Sequence, residues 1–475
     1  MSTKSDYLWA TLNRIGGIGL AFLFNLVMAR WFLSPREFGI IGMLQIFISV
    51  AYTTVIAGFG QALIQAKTLK QADINTVFTT NFVLALIVYA ILYFSAPSIA
   101  VFYNEPILKD VLRVLGVQLI MSSFFIVQYN IALRESQQRR LCLITIISNT
   151  LGYAFGVIVA KNGAGVWSLV TATLAMYLFQ TIGLWVTTKA YPMLGINKDS
   201  FKKLVPYSGF IYLASLIDEV YIYGLSLILG KRFNASIVGY YTQANKLQAG
   251  LSGGIQSVGY LVLFPDFSRY QSSPDILKER YRKNLRLLTI LSVLGFSIFF
   301  LTAEPLVRLL FTDKWLPSVP MLRILTPVGL FLVLSFIPTL LIRSVGKAKS
   351  YFILIAVERS IGIISLIILS GIGLYETLWG LVGLNIIYFL FNVYYVEHLT
   401  TIMMKEQLKD IFPILFLQGG LVFMMDLLLR MIDFSSPLLE VFVGIALSTC
   451  SIYLLNNVLH LVDVKTLRSL LLKRN

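Results

Sequence analysis

AEPLVRLLFTDKWLPSVPMLRIL, residues 303–325, carries five charges between two long apolar runs. It repeats, with a small length difference, APSIAVFYNEPILKDVLRVL at 96–115, which sets Arg113 against Arg323. Other pairs keep the same order. Arg134 and Arg343 each precede an apolar run, GVWSLV (165–170) matches TLWGLV (377–382), and ARWFLSPREFG (29–39) matches GKRFNASIVG (230–239), which pairs Arg30 with Lys231. Such ordered repetition implies a duplicated chain.

Composition says what is duplicated. The 475-residue chain is 57% hydrophobic, with a mean hydropathy of +0.78, so too little polar surface exists to cover a soluble globule. In lipid only helices or closed barrels satisfy their own backbone groups, and the apolar runs are roughly 18 to 27 residues long, against about ten for a barrel strand. The expected fold class is therefore an all-α polytopic membrane protein of about fourteen transmembrane helices. The first six runs are Leu8 to Leu33, Phe38 to Ile64, Phe78 to Ser95, Leu112 to Leu133, Leu141 to Ala160 and Val166 to Thr188. Six more are Pro206 to Leu229, Ile237 to Phe264, Leu285 to Ala303, Leu322 to Ile342, Tyr351 to Ile372 and Thr377 to Val396, and the last two are Phe412 to Leu429 and Pro437 to Leu459. Residues 1–195 and 196–400 then form two six-helix lobes around a central cavity, with two additional helices and a basic tail in 401–475. Because six is even, both lobes start on the same side and the repeat is parallel. The first run is too long for a signal-peptide core and reads as a retained helix.

The net charge of +16 suggests nucleic acid until its distribution is read. Alternate loops put about 25 Lys and Arg on the side of both termini and about 11 on the other, which places both termini in the cytoplasm. The rich segments include RESQQRR (134–140), NKDSFKK (197–203), RSVGKAK (343–349) and the tail KTLRSLLLKRN; they set orientation and attract anionic lipid. No nucleotide-binding loop is present. Cys142, Cys450, His398 and His460 are dispersed, so neither a disulfide nor a metal site is expected.

Polar residues inside the runs are the candidates for chemistry. Ser208, Tyr212, Ser215, Glu219 and Tyr223 share one stripe of the seventh run, with Asp218 adjacent; Thr242, Asn245, Gln248, Ser252 and Gln256 share one on the eighth, with Lys246 beside it. The repeat mates are Asn13, Arg14 and Asn25 on the first run and Gln45, Ser49, Thr53 and Gln61 on the second. Uncharged members also serve as interhelical glue. Charges at mid-membrane cost roughly 2.5–3.5 kcal/mol each on insertion scales. Asp218, Glu219, Lys246, Glu358, Arg359 and Arg14 therefore face either water or an internal partner. Arg30, Arg113, Lys231, Arg308 and Arg323 lie at the outer rim, where long side chains snorkel, with Trp315 as an interfacial anchor.

The segments ARWFLSPREFGIIGM (29–43), FGQALIQAKTLKQADINTVF (59–78), YNEPILKDVLRVLG (103–116), VGYYTQANKLQ (238–248), LFPDFSRYQSSPDILKERY (263–281) and LVRLLFTDKWLPSVPMLRIL (306–325) resemble those of Wzx-type oligosaccharide flippases. More narrowly they resemble the colanic-acid-exporting branch of the multidrug, oligosaccharidyl-lipid and polysaccharide exporter superfamily. Lys246 stands where many relatives carry arginine, which keeps the charge and loses the bidentate fork.

The resemblance implies a bacterial inner-membrane flippase, not an enzyme, that moves undecaprenyl diphosphate-linked oligosaccharide units between leaflets by alternating access. It implies diphosphate binding by Arg14, Lys246 and Arg359, and sugar contact or ion coupling by Asp218, Glu219, Glu358, Asn13, Asn25, Gln45, Tyr212, Asn245, Gln248 and Gln256. Further expectations are no cofactor beyond a coupling Na+ or H+, contact with membrane lipids, and partnership with a polysaccharide polymerase and assembly proteins. By similarity to the peptidoglycan-precursor flippase, the last two helices line a groove for the lipid tail. Two other functions share the composition: an organic-cation antiporter of the same superfamily, whose cavity should be net acidic, and a membrane glycan polymerase or ligase, which needs a larger external loop.

Overall fold

The computed structural model describes residues 4–56, 63, 69–188, 191–432 and 434–459. The basic carboxy-terminal tail, His460 and most of 57–68, expected to close the second run, lie outside the described residues. The regular elements are helices: α1 (Lys4–Val27), continued by a π-helical turn (Met28–Phe32), α2 (Pro35–Ile56), α3 (Gln71–Tyr103), α4 (Ile107–Leu115), α5 (Val117–Arg134), α6 (Gln138–Lys161), α7 (Trp167–Thr187) and α8 (Lys198–Arg232). There follow α9 (Ala235–Arg269), α10 (Pro274–Leu301), α11 (Ala303–Phe311), α12 (Ser318–Ser344), α13 (Ala348–Leu369), α14 (Leu374–Leu399), α15 (Met404–Leu429) and α16 (Pro437–Leu459). Among the described residues, 12 segments are long and apolar enough to cross a membrane. The helices α8 and α9, also expected as spans, are 35 residues each but are not among the twelve. On α9 the polar stripe dilutes the apolar content that the other helices keep, whereas the side chains of 203–211 and 214 on α8 lie outside the described residues.

Element order repeats along the chain. The helix α3 corresponds to α10 with α11, α4 with α5 to α12, α6 to α13, and α7 to α14. Turn geometry repeats too. Asn104 after α3 and Thr312 after α11 both take positive φ, 56° and 78°. Between α5 and α6, Ser136 has φ 55°, and between α12 and α13, Gly346 has φ 77°. Each closes its helix in the same way. Gln137 N donates to Ala132 O at 2.9 Å and Lys347 N to Ile342 O at 3.2 Å, a left-handed stop that satisfies terminal carbonyls.

The chain divides into two compact units, residues 1–239 and 240–475. In the first, α1 packs on α6, with Phe24 and Tyr153 stacked at 4.4 Å, and α6 packs on α7. The helix α3 packs on α5 through Phe78 and Phe124 at 5.9 Å, and Trp185 Nε1 donates to Phe124 O at 2.7 Å. The connection after α7 lies along the first turns of α3. Met193 N donates to Asn75 Oδ1, Gly195 N to Thr79 Oγ1 and Asn197 N to Thr76 Oγ1, at 3.0, 2.9 and 2.9 Å, so exposed backbone donors find side-chain acceptors.

The second unit has a core of Phe267, Tyr281, Leu285, Ile337, Leu341, Phe389, Val393 and Ile411, drawn from α9, α10, α12, α14 and α15. On α13, by contrast, Ile353, Val357, Ile361, Ile364 and Ile368 are exposed at intervals of three and four. A stripe of that kind fits hydrocarbon, not water. Trp315 corrects an expectation: it is fully buried, edge-on to Tyr240 at 6.1 Å and near Phe311 at 6.0 Å. It is a core residue of the second unit, not an interfacial anchor.

Candidate functional site

In the first unit the polar stripes of α2 and α8 meet. Thr53 Oγ1 donates to Glu219 Oε1 at 3.4 Å, and Thr54 Oγ1 and the Tyr212 hydroxyl share a hydrogen bond at 3.1 Å. One turn along α2, Gln45 Nε2 donates to Ser49 Oγ at 3.1 Å. The seam therefore joins Thr53 and Thr54 of α2 to Glu219 and Tyr212 of α8, while the Gln45 bond stays within α2. Asp218 is half-buried beside Glu219. On α1, Asn13 is half-buried and its Oδ1 makes no hydrogen bond, Arg14 is exposed, and Asn25 is half-buried.

In the second unit the α9 stripe packs toward α12. Gln248 is buried and donates to Ser252 Oγ at 3.2 Å; Gln256 Nε2 donates to Leu332 O at 3.4 Å. Asn245 is half-buried and Lys246 exposed. Glu358 is 6% exposed and has internal partners: Asn392 Nδ2 donates to its Oε1 at 2.9 Å and the Tyr388 hydroxyl to its carbonyl at 2.8 Å. Its neighbour Arg359 is half-buried. Of the expected diphosphate ligands, Arg14 belongs to the first unit and Lys246 and Arg359 to the second.

The rim residues all find local partners. Arg30 lies 5.8 Å from the Trp31 ring, and Arg113 lies 4.2 Å from the Tyr93 ring while its Nε donates to Tyr93 O. Lys231 Nζ donates to Phe102 O at 2.7 Å and sits over its ring at 4.5 Å. Arg308 donates to Glu304 Oε1 at 3.0 Å and to Asp313 Oδ1 at 3.1 Å; the Glu304 hydrogen bond pushes its guanidinium up from the ordinary value. Arg323 reaches Asp426 at 3.5 Å.

Two charge clusters escaped the sequence reading. Arg282 and Arg286 of α10 both bind Asp410 of α15, at 2.7 and 2.6 Å, while Lys278 reaches Glu406 at 2.7 Å. The signal was present as matched stripes, 278, 282 and 286 against 406 and 410. The second cluster joins Arg323 to Asp426 and Arg430, with Glu304, Arg308 and Glu440 around one pocket. Sequence alone showed the arginines but not that α15 brings a carboxylate to them.

Comparison with known proteins gives this geometry a context. Residues 27–320 match a family described as polysaccharide biosynthesis protein. The succinoglycan biosynthesis transport protein ExoT of Rhizobium meliloti (strain 1021) is 24% identical over 352 residues, 72% of this chain and 69% of that one. The lipopolysaccharide biosynthesis protein WzxC of Escherichia coli (strain K12) is 22% identical over 335 residues, 69% and 67% of the two chains. Among solved structures, the lipid II flippase MurJ in an inward closed conformation superposes with a TM-score of 0.73 at 13% identity, over 95% of this chain and 99% of that chain. That likeness shows a shared fold.

Proposed function

We propose, since the chain belongs to the polysaccharide biosynthesis protein family, that it is a flippase carrying undecaprenyl diphosphate-linked oligosaccharide units from the inner to the outer leaflet of a bacterial cytoplasmic membrane. The observation that carries this reading is architectural. A chain from a polysaccharide family consists, among the described residues, almost wholly of membrane-length helices, 12 of them apolar enough to span. Beyond residue 70 its longest connection is the short one between Thr187 and Lys198. A glycan polymerase or ligase calls for a sizeable external loop bearing catalytic residues, whereas carrying a lipid-linked sugar needs membrane helices.

The proposed orientation puts both termini in the cytoplasm, from the loop charges. The proposed substrate ligands are Arg14, Lys246 and Arg359 for the diphosphate. The amides, hydroxyls and carboxylates of Gln45, Tyr212, Glu219, Asp218, Asn13, Asn25, Asn245, Gln248, Gln256 and Glu358 serve the sugar or a coupling ion. Moving two negative charges outward across an inside-negative potential gains roughly 2.3 kcal/mol per charge per 100 mV. Voltage therefore drives the stroke in the required direction, with Na+ or H+ at Asp218 or Glu219 as the alternative coupling.

The test is deletion of the gene followed by mass spectrometry of membrane lipids. Accumulation of one lipid-linked oligosaccharide, protected from glycosidases added outside spheroplasts, is the expected result. An unchanged lipid profile together with sensitivity to cationic dyes would replace this reading with the antiporter.

A further inference from the structure

The charged end of the repeated stretch 303–325 takes no part in the proposed substrate cavity, yet it lines a pocket. That pocket, of about 460 Å3, is walled by Glu304, Arg308, Arg323, Asp426, Arg430 and Glu440, with Leu301 and Phe434. A second pocket of about 290 Å3 is almost wholly apolar and is lined by Phe296 and Phe300 of α10, Thr326 and Pro327 of α12, and Val422 and Phe423 of α15. The two share three helices. Phe300 adjoins Leu301, Thr326 and Pro327 are one turn from Arg323, and Val422 and Phe423 are one turn from Asp426, so the apolar pocket lies one turn along the same helices from the charged one. Arg323 joins them, its guanidinium 5.8 Å from the Phe300 ring.

Arg323 is also the least satisfied cation there. Its Nε is buried and makes no hydrogen bond, and its contact to Asp426 is 3.5 Å. A guanidinium has five donors in a fixed fork, and leaving one buried and unmade is costly. Without ligand the six charges sum to zero. Arg308, however, is bonded to Glu304 and Asp313, both well exposed at 43% and 75%, and exposed pairs of this kind are worth about 0–1 kcal/mol. They yield readily to a stronger acceptor.

We propose that this paired pocket is a binding station for the phosphate end of a lipid, in the leaflet at the α12 amino-terminal end. Phosphate oxygens fill the Arg323 fork, Arg308 swings in from its surface pairs, and the first carbons of the chain enter the apolar pocket. If the flipping reading and its orientation hold, the leaflet is the outer one and the station receives the translocated diphosphate before release. A resident phospholipid offers the same chemistry.

Calorimetry on the full-length protein in phosphatidylcholine nanodiscs separates these cases, with Arg14→Ala and Lys246→Ala introduced to silence the proposed cavity. Farnesyl diphosphate should bind, and Arg323→Gln should weaken it about tenfold, the size expected for a charge-assisted hydrogen bond. Arg308→Gln, at an exposed position that does not endanger folding, should weaken it about threefold. Inorganic pyrophosphate should bind at least ten times more weakly than the farnesyl compound. Loss of farnesyl diphosphate binding on adding phosphatidylglycerol to the discs supports the station and identifies a resident phospholipid as its occupant. Equal binding by wild type, Arg323→Gln and Arg308→Gln overturns the proposal, and so does equal affinity for pyrophosphate. Vesicles that do not flip substrate while this binding persists defeat the transport reading and leave the station standing.

Discussion

Gly39 and Gly239 end the paired segments ARWFLSPREFG and GKRFNASIVG, and in the structure they face one another's segment. A Cβ on Gly39 would fall on the Ala235 carbonyl oxygen, and one on Gly239 on the Pro35 carbonyl oxygen. Both obstacles are backbone, which cannot turn aside as a flexible side chain does. Gly39→Ala or Gly239→Ala should each cost about 1–3 kcal/mol through overpacking, read as a lower unfolding temperature in detergent. Gly19→Ala, with nothing near its Cβ, should be neutral or gain about 0.5–1 kcal/mol from helix propensity. The left-handed stops give a second pair of tests. Ser136→Gly should stabilise and Gly346→Ala destabilise, each by about 1 kcal/mol, again by thermal unfolding. The sequence announces the stop at Gly346 and hides it at Ser136, because only glycine advertises positive φ. Trp315 was misread for a related reason: an aromatic between charged residues looks interfacial until the tertiary fold closes over it.

At the scale of elements, α15 is tied to α10 by charge at one end. Asp410 is nearly buried, and its two arginines are 26% and 35% exposed. Removing the carboxylate strands partly buried cations, so Asp410→Asn should cost about 2 kcal/mol, below the 3–5 of a fully buried pair. The tie should fail locally: limited proteolysis should cut the connection before α15 sooner in the variant while the first unit stays resistant. Helix order was legible because apolar length is read one segment at a time; of the fourteen expected spans, 12 are long and apolar enough among the described residues. The α2 and α8 stripes were legible as stripes, but their meeting through Thr53 with Glu219 and Thr54 with Tyr212 was not. Partnership between α10 and α15 was not, since two matching charge stripes more than a hundred residues apart do not say which helices become neighbours. Glu358 is of the same kind: the sequence marks a costly charge, and only packing supplies Asn392 as its partner.

For the whole molecule, the family was legible from motifs between residues 29 and 325, nearly the span that the family match covers. Arg14→Ala and Lys246→Ala should each reduce export at least tenfold if the diphosphate rests on them, the loss of one charge-assisted contact, with membrane insertion unchanged by cell fractionation. If voltage drives the stroke, the rate should rise with an imposed inside-negative potential and ignore sodium and proton gradients. The most direct measurement is flipping itself. Purified protein is reconstituted into sealed vesicles with a fluorescent undecaprenyl diphosphate oligosaccharide confined to one leaflet, and a membrane-impermeant quencher is added on the far side. Time-dependent quenching that requires the protein, and slows in Lys246→Ala, is the predicted result; fluorescence that stays protected in folded, correctly inserted preparations would contradict it.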